Sequence, residues 1–345
     1  MLGIDSRAAR ITWTAALVVL ALLLVYLLRS TLFIFSLAVL FAYLVAPLVN
    51  LLDWLLPGRR TRALALALAY VLLVGLVVMA AVFIGTRVVE QATALARDFP
   101  ERVAGWTASF QARVPESFRA DVAQRSSELL AALPQLGFKL LALAGNLIYV
   151  VIIPVLAFLF LKDGRIIRQH ILDLVEDGQR RAMLDEVLAD VHLLLAHYMR
   201  ALVILSISTF TAYGIFFRML GVPYTILLAA LAGALEFIPT VGPLAAAVII
   251  FLVVAVSGGH ILVALIFIVA FRMFQDYVAC PHLMGQGVEL HPLLVLFGVF
   301  AGAEFAGIAG TFLSVPVLAL ARILYLRIRR ERMRRALAPD DNLPA

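Results

Sequence analysis

The chain has 345 residues, 64% of them hydrophobic and 14% charged, with a formal net charge of +6 and a mean hydropathy of +1.03. Soluble domains are about 45–50% apolar and about 25% charged, so the composition excludes a soluble globular protein and implies an all-α, polytopic membrane protein. Nucleic-acid binding is not expected either, because the basic residues sit at the ends of apolar runs, where they set membrane topology.

A spanning helix needs about 20 apolar residues, and the runs fall as follows. Arg7 and Arg10 precede the run 11–28, which is read as an uncleaved first span. Arg29-Ser30 separates it from 31–52, giving a hairpin, and Pro57-Gly58 with Arg59, Arg60 and Arg62 forms a basic turn before 63–85. These N-terminal membrane helices occupy 1–85. Segment 86–139 mixes acidic and basic residues, and Pro100, Pro115 and Pro134 are expected to punctuate it into short extracytoplasmic amphipathic helices.

The run 140–161 is the next span. Residues 162–200 carry Ile166, Ile167, Ile171, Leu172 and Val175 near helical spacing, which predicts a cytoplasmic amphipathic helix lying on the membrane surface or against the bundle. A C-terminal membrane core at 201–325 holds the runs 201–217, 222–256, 260–279 and 292–325, and a basic tail fills 326–345. The short basic loops place both termini in the cytoplasm. An even number of crossings is then required. It is met by about eight membrane elements, with 222–256 crossing once as a broken element.

Two stretches of the core put a carboxylate into apolar, glycine-broken sequence. Ala232 to Val248 reads AGALEFIPTVGPLAAAV, and Ala301 to Pro316 reads AGAEFAGIAGTFLSVP. In both, Ala-Gly-Ala leads to Glu-Phe, at Glu236 and Glu304, and a break follows: Pro239, Gly242 and Pro243 in the first, Gly307 and Gly310 in the second. Irregular backbone at membrane depth is tolerated where it is buried in protein or lines a cavity, and paired interrupted segments mark the central site of transporters.

A charge at mid-membrane costs about 2.5–3.5 kcal/mol on insertion scales, so Glu236, Arg272, Gln275, Asp276, His291 and Glu304 are the candidate pathway residues. Glu236 reads as a proton, cation or solute contact, or alternatively as a carboxylate satisfying free N–H groups of the next half-helix. Arg272 and Asp276 are four apart and can pair on one helix face. Gly298 and Gly302 have the spacing of close helix packing. Ser206, Ser208, Thr209 and Thr211 are expected to bond backbone carbonyls or neighbouring helices.

No enzyme is expected, since G-x-x-x-x-G-K-[ST], H-E-x-x-H and a nucleophile elbow are all absent. His192 and His197 are weak metal candidates. The one cysteine, Cys280, rules out an intramolecular disulfide and a cysteine metal cluster. No cofactor or metal is expected.

Further stretches carry a resemblance. They are Phe-Ala-Tyr-Leu-Val-Ala-Pro-Leu-Val at 41–49, Leu161-Lys162-Asp163, Glu236-Phe-Ile-Pro-Thr-Val-Gly-Pro, Gln275-Asp276 followed by Pro281 and His291-Pro292-Leu293, and Gly-Ala-Glu-Phe-Ala-Gly-Ile-Ala-Gly at 302–310 running to Val315-Pro316. In order and spacing the chain resembles the autoinducer-2 exporter family, also called PerM-like, of bacterial polytopic membrane proteins. The resemblance implies a bacterial inner-membrane protein exporting a small hydrophilic solute, with autoinducer-2 as the namesake, ion-gradient driven or passive. Other members look like sodium (lithium)/proton antiporters. It also implies a homo-oligomer, with a pentamer as one form. A non-transporting membrane scaffold acting through 86–139 or the cytoplasmic helix is the third reading.

Overall fold

The computed structural model describes residues 6–55, 61–111, 147–257, 260–284 and 290–337, and among them every element is helical. In chain order these are α1 (Ser6–Leu27), α2 (Arg29–Leu55), α3 (Thr61–Gln111), α4 (Leu147–Asp173), α5 (Gly178–Met219), α6 (Thr225–Leu235) and α7 (Val241–Val256). They are followed by α8 (Ile261–Phe274), a π-turn (Gln275–Ala279), α9 (Cys280–Met284) and α10 (Pro292–Leu337). Among the described residues, five stretches are long and apolar enough to cross a bilayer: Arg10–Leu27, Arg29–Asn50, Gly178–Met219, Ile261–Leu283 and Gly310–Arg330. Apolar side chains such as Ile11, Leu20, Ile215, Leu262 and Phe300 face outward, as lipid-facing residues do. The expected all-α polytopic membrane architecture is therefore what the chain adopts.

Three local expectations change. First, α3 does not end near residue 85, and Pro100 lies inside it. At 1.5 Å per residue its 51 residues make a rod of about 77 Å, more than twice the ~30 Å hydrocarbon thickness. Tertiary packing outweighs the proline: Ala94, Leu95 and Phe99 join the main core, Tyr224 Oη donates to Asp98 Oδ2 at 3.1 Å, and Leu227 N donates to Gln91 Oε1 at 2.9 Å. Pro115 and Pro134 lie outside the described residues.

Second, 162–200 is not one surface helix. α4 runs on through Lys162, and α5 begins at Gly178 and continues into the core. The two form an antiparallel hairpin tied by Arg168–Asp185 at 2.7 Å and Arg181–Asp173 at 2.8 Å. Asp177 starts α5 by accepting from the backbone N–H of Gln179 at 2.9 Å and of Arg180 at 3.3 Å, the N-cap role for which aspartate is preferred.

Third, the break expected at Gly307 and Gly310 does more than interrupt the run 292–325, which is not one crossing. At Ala306 (φ −145°, ψ 21°) and Gly307 (φ 61°, ψ −143°) the helix breaks, and the chain doubles back into a tight hairpin. The crossing point is glycine against glycine: a Cβ on Gly302 would stand 2.3 Å from Gly310 O, and one on Gly310 would stand 1.9 Å from Gly302 O. Farther from the tip, Gly298 faces Leu318 and Ser314. The run reads as a single span because both arms are apolar and only glycines mark the fold-back.

The run 222–256 is broken as expected, into α6 and α7 with a turn at 236–240. Gly242 sits directly on the carbonyl of Leu235, so α7 starts against the end of α6 rather than prolonging it. The main core lies here, with Tyr213, Phe217, Leu228, Ala232, Ile250, Val253, Ala264 and Ile268 buried among α5, α6, α7 and α8. A second cluster of Leu40, Tyr198, Met199 and Leu202, with Phe237 and Phe312 packed on it, joins α2 and α5 to both breaks.

Candidate functional site

Four elements converge on Glu236. It caps the C-terminus of α6, is only 7% exposed, and faces Thr209 of α5, Arg272 of α8 and Gln275 of the π-turn. Thr209 Oγ1 donates to Glu236 Oε2 at 3.3 Å. The Gln275 amide donates to Thr209 Oγ1 at 2.8 Å and lies 3.4 Å from Glu236 Oε1. Arg272 stands 3.5 Å from Glu236 Oε1 while gripping Asp276 at 2.9 and 2.7 Å. A buried carboxylate is tolerated when it is paired and hydrogen-bonded, and this one is both.

Local backbone makes the convergence. A π-turn, an irregularity often found at functional sites, carries Gln275 and Asp276 just after Arg272. It turns Gln275 inward to 4% exposure while Asp276 stays near the surface with Arg272. Thr240, in the turn after Glu236, has φ 64° and ψ −54°, a conformation that costs a β-branched residue about 1–3 kcal/mol. Glu236 spends its oxygens on side chains of other helices, and no side chain caps the first turn of α7. The helix-capping alternative is thus not the arrangement found.

The cluster lines one end of a cavity of ≈ 590 Å³. Glu236, Pro239, Thr240, Pro243, Arg272, Gln275, Asp276 and Cys280 line that end, and Asp190, Arg327 and Arg330 line the other. Between them the wall is mainly apolar, from Leu194, Leu202 and Leu205 on α5 and Val315, Ala319 and Ile323 on α10. At that other end Arg327 binds Asp190 at 2.6 and 2.9 Å and pairs with Glu186. On the far side of the cluster, one turn along α5 and α8, Tyr213, Phe217, Phe267 and Phe271 pack edge to face or stack at 5.2–5.9 Å between ring centres. The polar cluster therefore separates a cavity from an aromatic block.

Of the residues singled out in the sequence, Glu236, Pro239, Pro243, Arg272, Gln275 and Asp276 meet in this cavity. Gly242 sits beside it at the break, where a side chain would strike Leu235 O. The second acidic stretch behaves differently. Glu304 is exposed on the first arm of the α10 hairpin and makes no hydrogen bond or ion pair among the described residues. Gly307 supplies the hairpin tip and Gly310 its crossing. His291 accepts from Leu293 N at 3.3 Å at the start of that hairpin. Thr209, one of the hydroxyls expected to bond backbone or a neighbouring helix, bonds across to Glu236 and so joins the cluster. Ser206 and Ser208 do bond backbone, at Gly233 O and Leu205 O. Tyr198, Asp190, Arg327 and Arg330 were not singled out for this wall. Nothing local marks them, because the α4–α5 and α10 hairpins bring them together from distant positions.

Comparison with known proteins adds an independent line. The family profile described as AI-2E family transporter matches residues 15–330. YueF of Bacillus subtilis (strain 168), named as a candidate transport protein, is 26% identical over 302 residues, 82% of this chain and 80% of its own length. YrrI of the same organism, named likewise, is 28% identical over 183 residues, and the chain spans only 52% of its length.

Proposed function

Because the chain belongs to the AI-2E transporter family, we propose that it exports a small hydrophilic organic solute through the cavity that ends at Glu236. The observation that carries this reading is the Glu236–Arg272–Gln275–Thr209 cluster, with Glu236, Gln275 and Thr209 buried, at one end of that cavity. It offers donors and acceptors at the depth where the aromatic block stops further passage. Autoinducer-2, the family's namesake, is the first solute to test.

Charge bias supports a cytoplasmic mouth in a bacterial inner membrane, with both termini on that side. Arg327 and Arg330 ring the mouth. Val49 near the end of α2 packs with Leu161 of α4, and Tyr43 pairs with His192 at 2.9 Å, so the end of α2 and the α4–α5 tip belong to the same end. A solute leaving the cell would enter there, reach the polar cluster and depart when the aromatic block yields. Sodium (lithium)/proton antiport is the competing reading. It is weakened by the cation already held against Glu236, since an alkali ion would have to displace Arg272.

The test uses purified protein in liposomes, with a trapped pH dye for protons and a direct assay of solute flux, wild type against Glu236→Gln. Flux of autoinducer-2 that is lost in the variant supports the exporter, whether or not protons move with it. Proton movement driven by sodium or lithium alone, and lost in the variant, would replace it with antiport.

A further inference from the structure

The short helix α6 carries Glu236 at its C-terminus, and its other end is held by a different helix. The first N–H groups of any helix lack intrahelical partners. Tyr224, the N-cap residue of α6, sits in the left-handed region (φ 60°, ψ 28°), uncommon for a bulky residue, and supplies no side-chain acceptor. Gln91 of α3 does so instead: its Oε1 accepts from Leu227 N at 2.9 Å, in the first turn of α6. Asp98, two turns farther along the same face of α3, accepts from the Tyr224 hydroxyl at 3.1 Å. Both acceptors belong to the part of α3 that runs past the apolar stretch 63–85.

A helix of 11 residues is too short to persist by itself, so its contacts set its place. Where α6 begins then decides where Glu236 lies, about 14 Å beyond Leu227. Little slack is available there. The carboxylate stands 3.3 Å from Thr209, 3.4 Å from Gln275 and 3.5 Å from Arg272, near the long limit of hydrogen bonding, so a shift of about half an ångström away from them breaks the set. We infer that Gln91 is a positioning residue for the Glu236 site: it fixes the start of α6 and, through that helix, holds the carboxylate within reach of its three partners. Asp98 assists by holding Tyr224. This stretch of α3 is thereby a control point on the site, since whatever displaces it moves Glu236. The inference rests on reading the cluster as the transport site and adds to it a residue that does not line the cavity.

Cys280 is the sole cysteine of the chain. It lines the cavity with Glu236 and Gln275 and directly follows the π-turn that carries Gln275, so its rate of labelling by N-ethylmaleimide reports whether the cluster is assembled. Rates and thermal midpoints are compared in detergent for wild type, Gln91→Leu, Gln91→Glu, Tyr224→Phe and Tyr70→Phe. Gln91→Leu removes the acceptor and should speed labelling roughly 3- to 10-fold, the weight of one lost helix cap. Gln91→Glu keeps an acceptor at the positive end of α6 and should label at the wild-type rate. Tyr70→Phe removes another hydrogen bond of α3, to Pro154 O at 2.6 Å, and should lower the midpoint without speeding labelling. Tyr224→Phe should speed labelling too, which keeps the assignment decidable where Gln91→Leu does not fold. A wild-type rate in folded Gln91→Leu, or in Tyr224→Phe where Gln91→Leu does not fold, would overturn the assignment. Fast labelling of Gln91→Glu, or equal acceleration by Tyr70→Phe, would do the same. These rates need no solute, so absence of flux in wild type would sink the transport reading alone.

Discussion

Glu236 is buried beside a cation and two neutral donors, so its partners can be removed one at a time. Arg272→Ala leaves the carboxylate with only Gln275 and Thr209 and should cost about 1–3 kcal/mol of stability, read by unfolding in detergent. Adding Glu236→Gln removes the uncompensated charge, so the double variant should be more stable than Arg272→Ala alone; strict additivity would mean the pair does not interact. How legible was this site? Glu236 showed because a carboxylate in apolar sequence is costly. Arg272 and Asp276 showed through helical spacing. Thr209 showed only as one of four hydroxyls expected to bond backbone or a neighbouring helix, and Tyr198 did not show, since a hydroxyl on a spanning helix looks the same whether it bonds its own backbone, another side chain or nothing. Glu304 has the same sequence surroundings as Glu236 and a different fate, because its break makes a hairpin tip and leaves the carboxylate outside.

The hairpin of α10 depends on two backbones meeting where no Cβ can fit. Gly302→Ala or Gly310→Ala should destabilise the protein by about 1–3 kcal/mol, the usual cost of overpacking. Gly75→Ala, where a Cβ meets nothing within 4 Å, should be neutral or stabilising; thermal melts of the three variants check this. Hydropathy marked 292–325 as apolar yet could not tell a span from two short arms. Likewise it ended the third span near residue 85 and merged the α4–α5 hairpin into one helix, because periodicity continues through a turn capped by a single aspartate. The α3–α6 contact carries a pH signature. Arg97 beside Asp98, then the Tyr224 hydroxyl, hold the Asp98 carboxyl below the usual carboxylate range. With the folded value depressed, the stabilisation is complete above the ordinary pKa of about 3.9 and is lost as pH falls through the folded value. Tyr224→Phe should therefore melt lower than wild type at pH 7, and the two should converge in stronger acid.

At the scale of the molecule, the cavity's sidedness is open to direct measurement. A membrane-impermeant maleimide should label Cys280 in inside-out vesicles and spare it in spheroplasts; the reverse pattern would put the arginine-ringed mouth outside the cell and make the protein an importer. The fold class was legible from composition, because no soluble protein carries so much apolar sequence. The cavity was not, because its walls come from residues more than a hundred positions apart, as in the Asp190–Arg327 pair. α5 alone touches every station of the proposed route, from that pair through Tyr198 and Thr209 to the aromatic block. It does so as one uninterrupted helix of 42 residues, about 63 Å long. Such a shaft cannot yield in its middle, so opening must come from the broken elements sliding along it. Spin labels at two points on α5 should hold a fixed separation with and without solute, while a label on α5 and one on the α10 hairpin should change theirs.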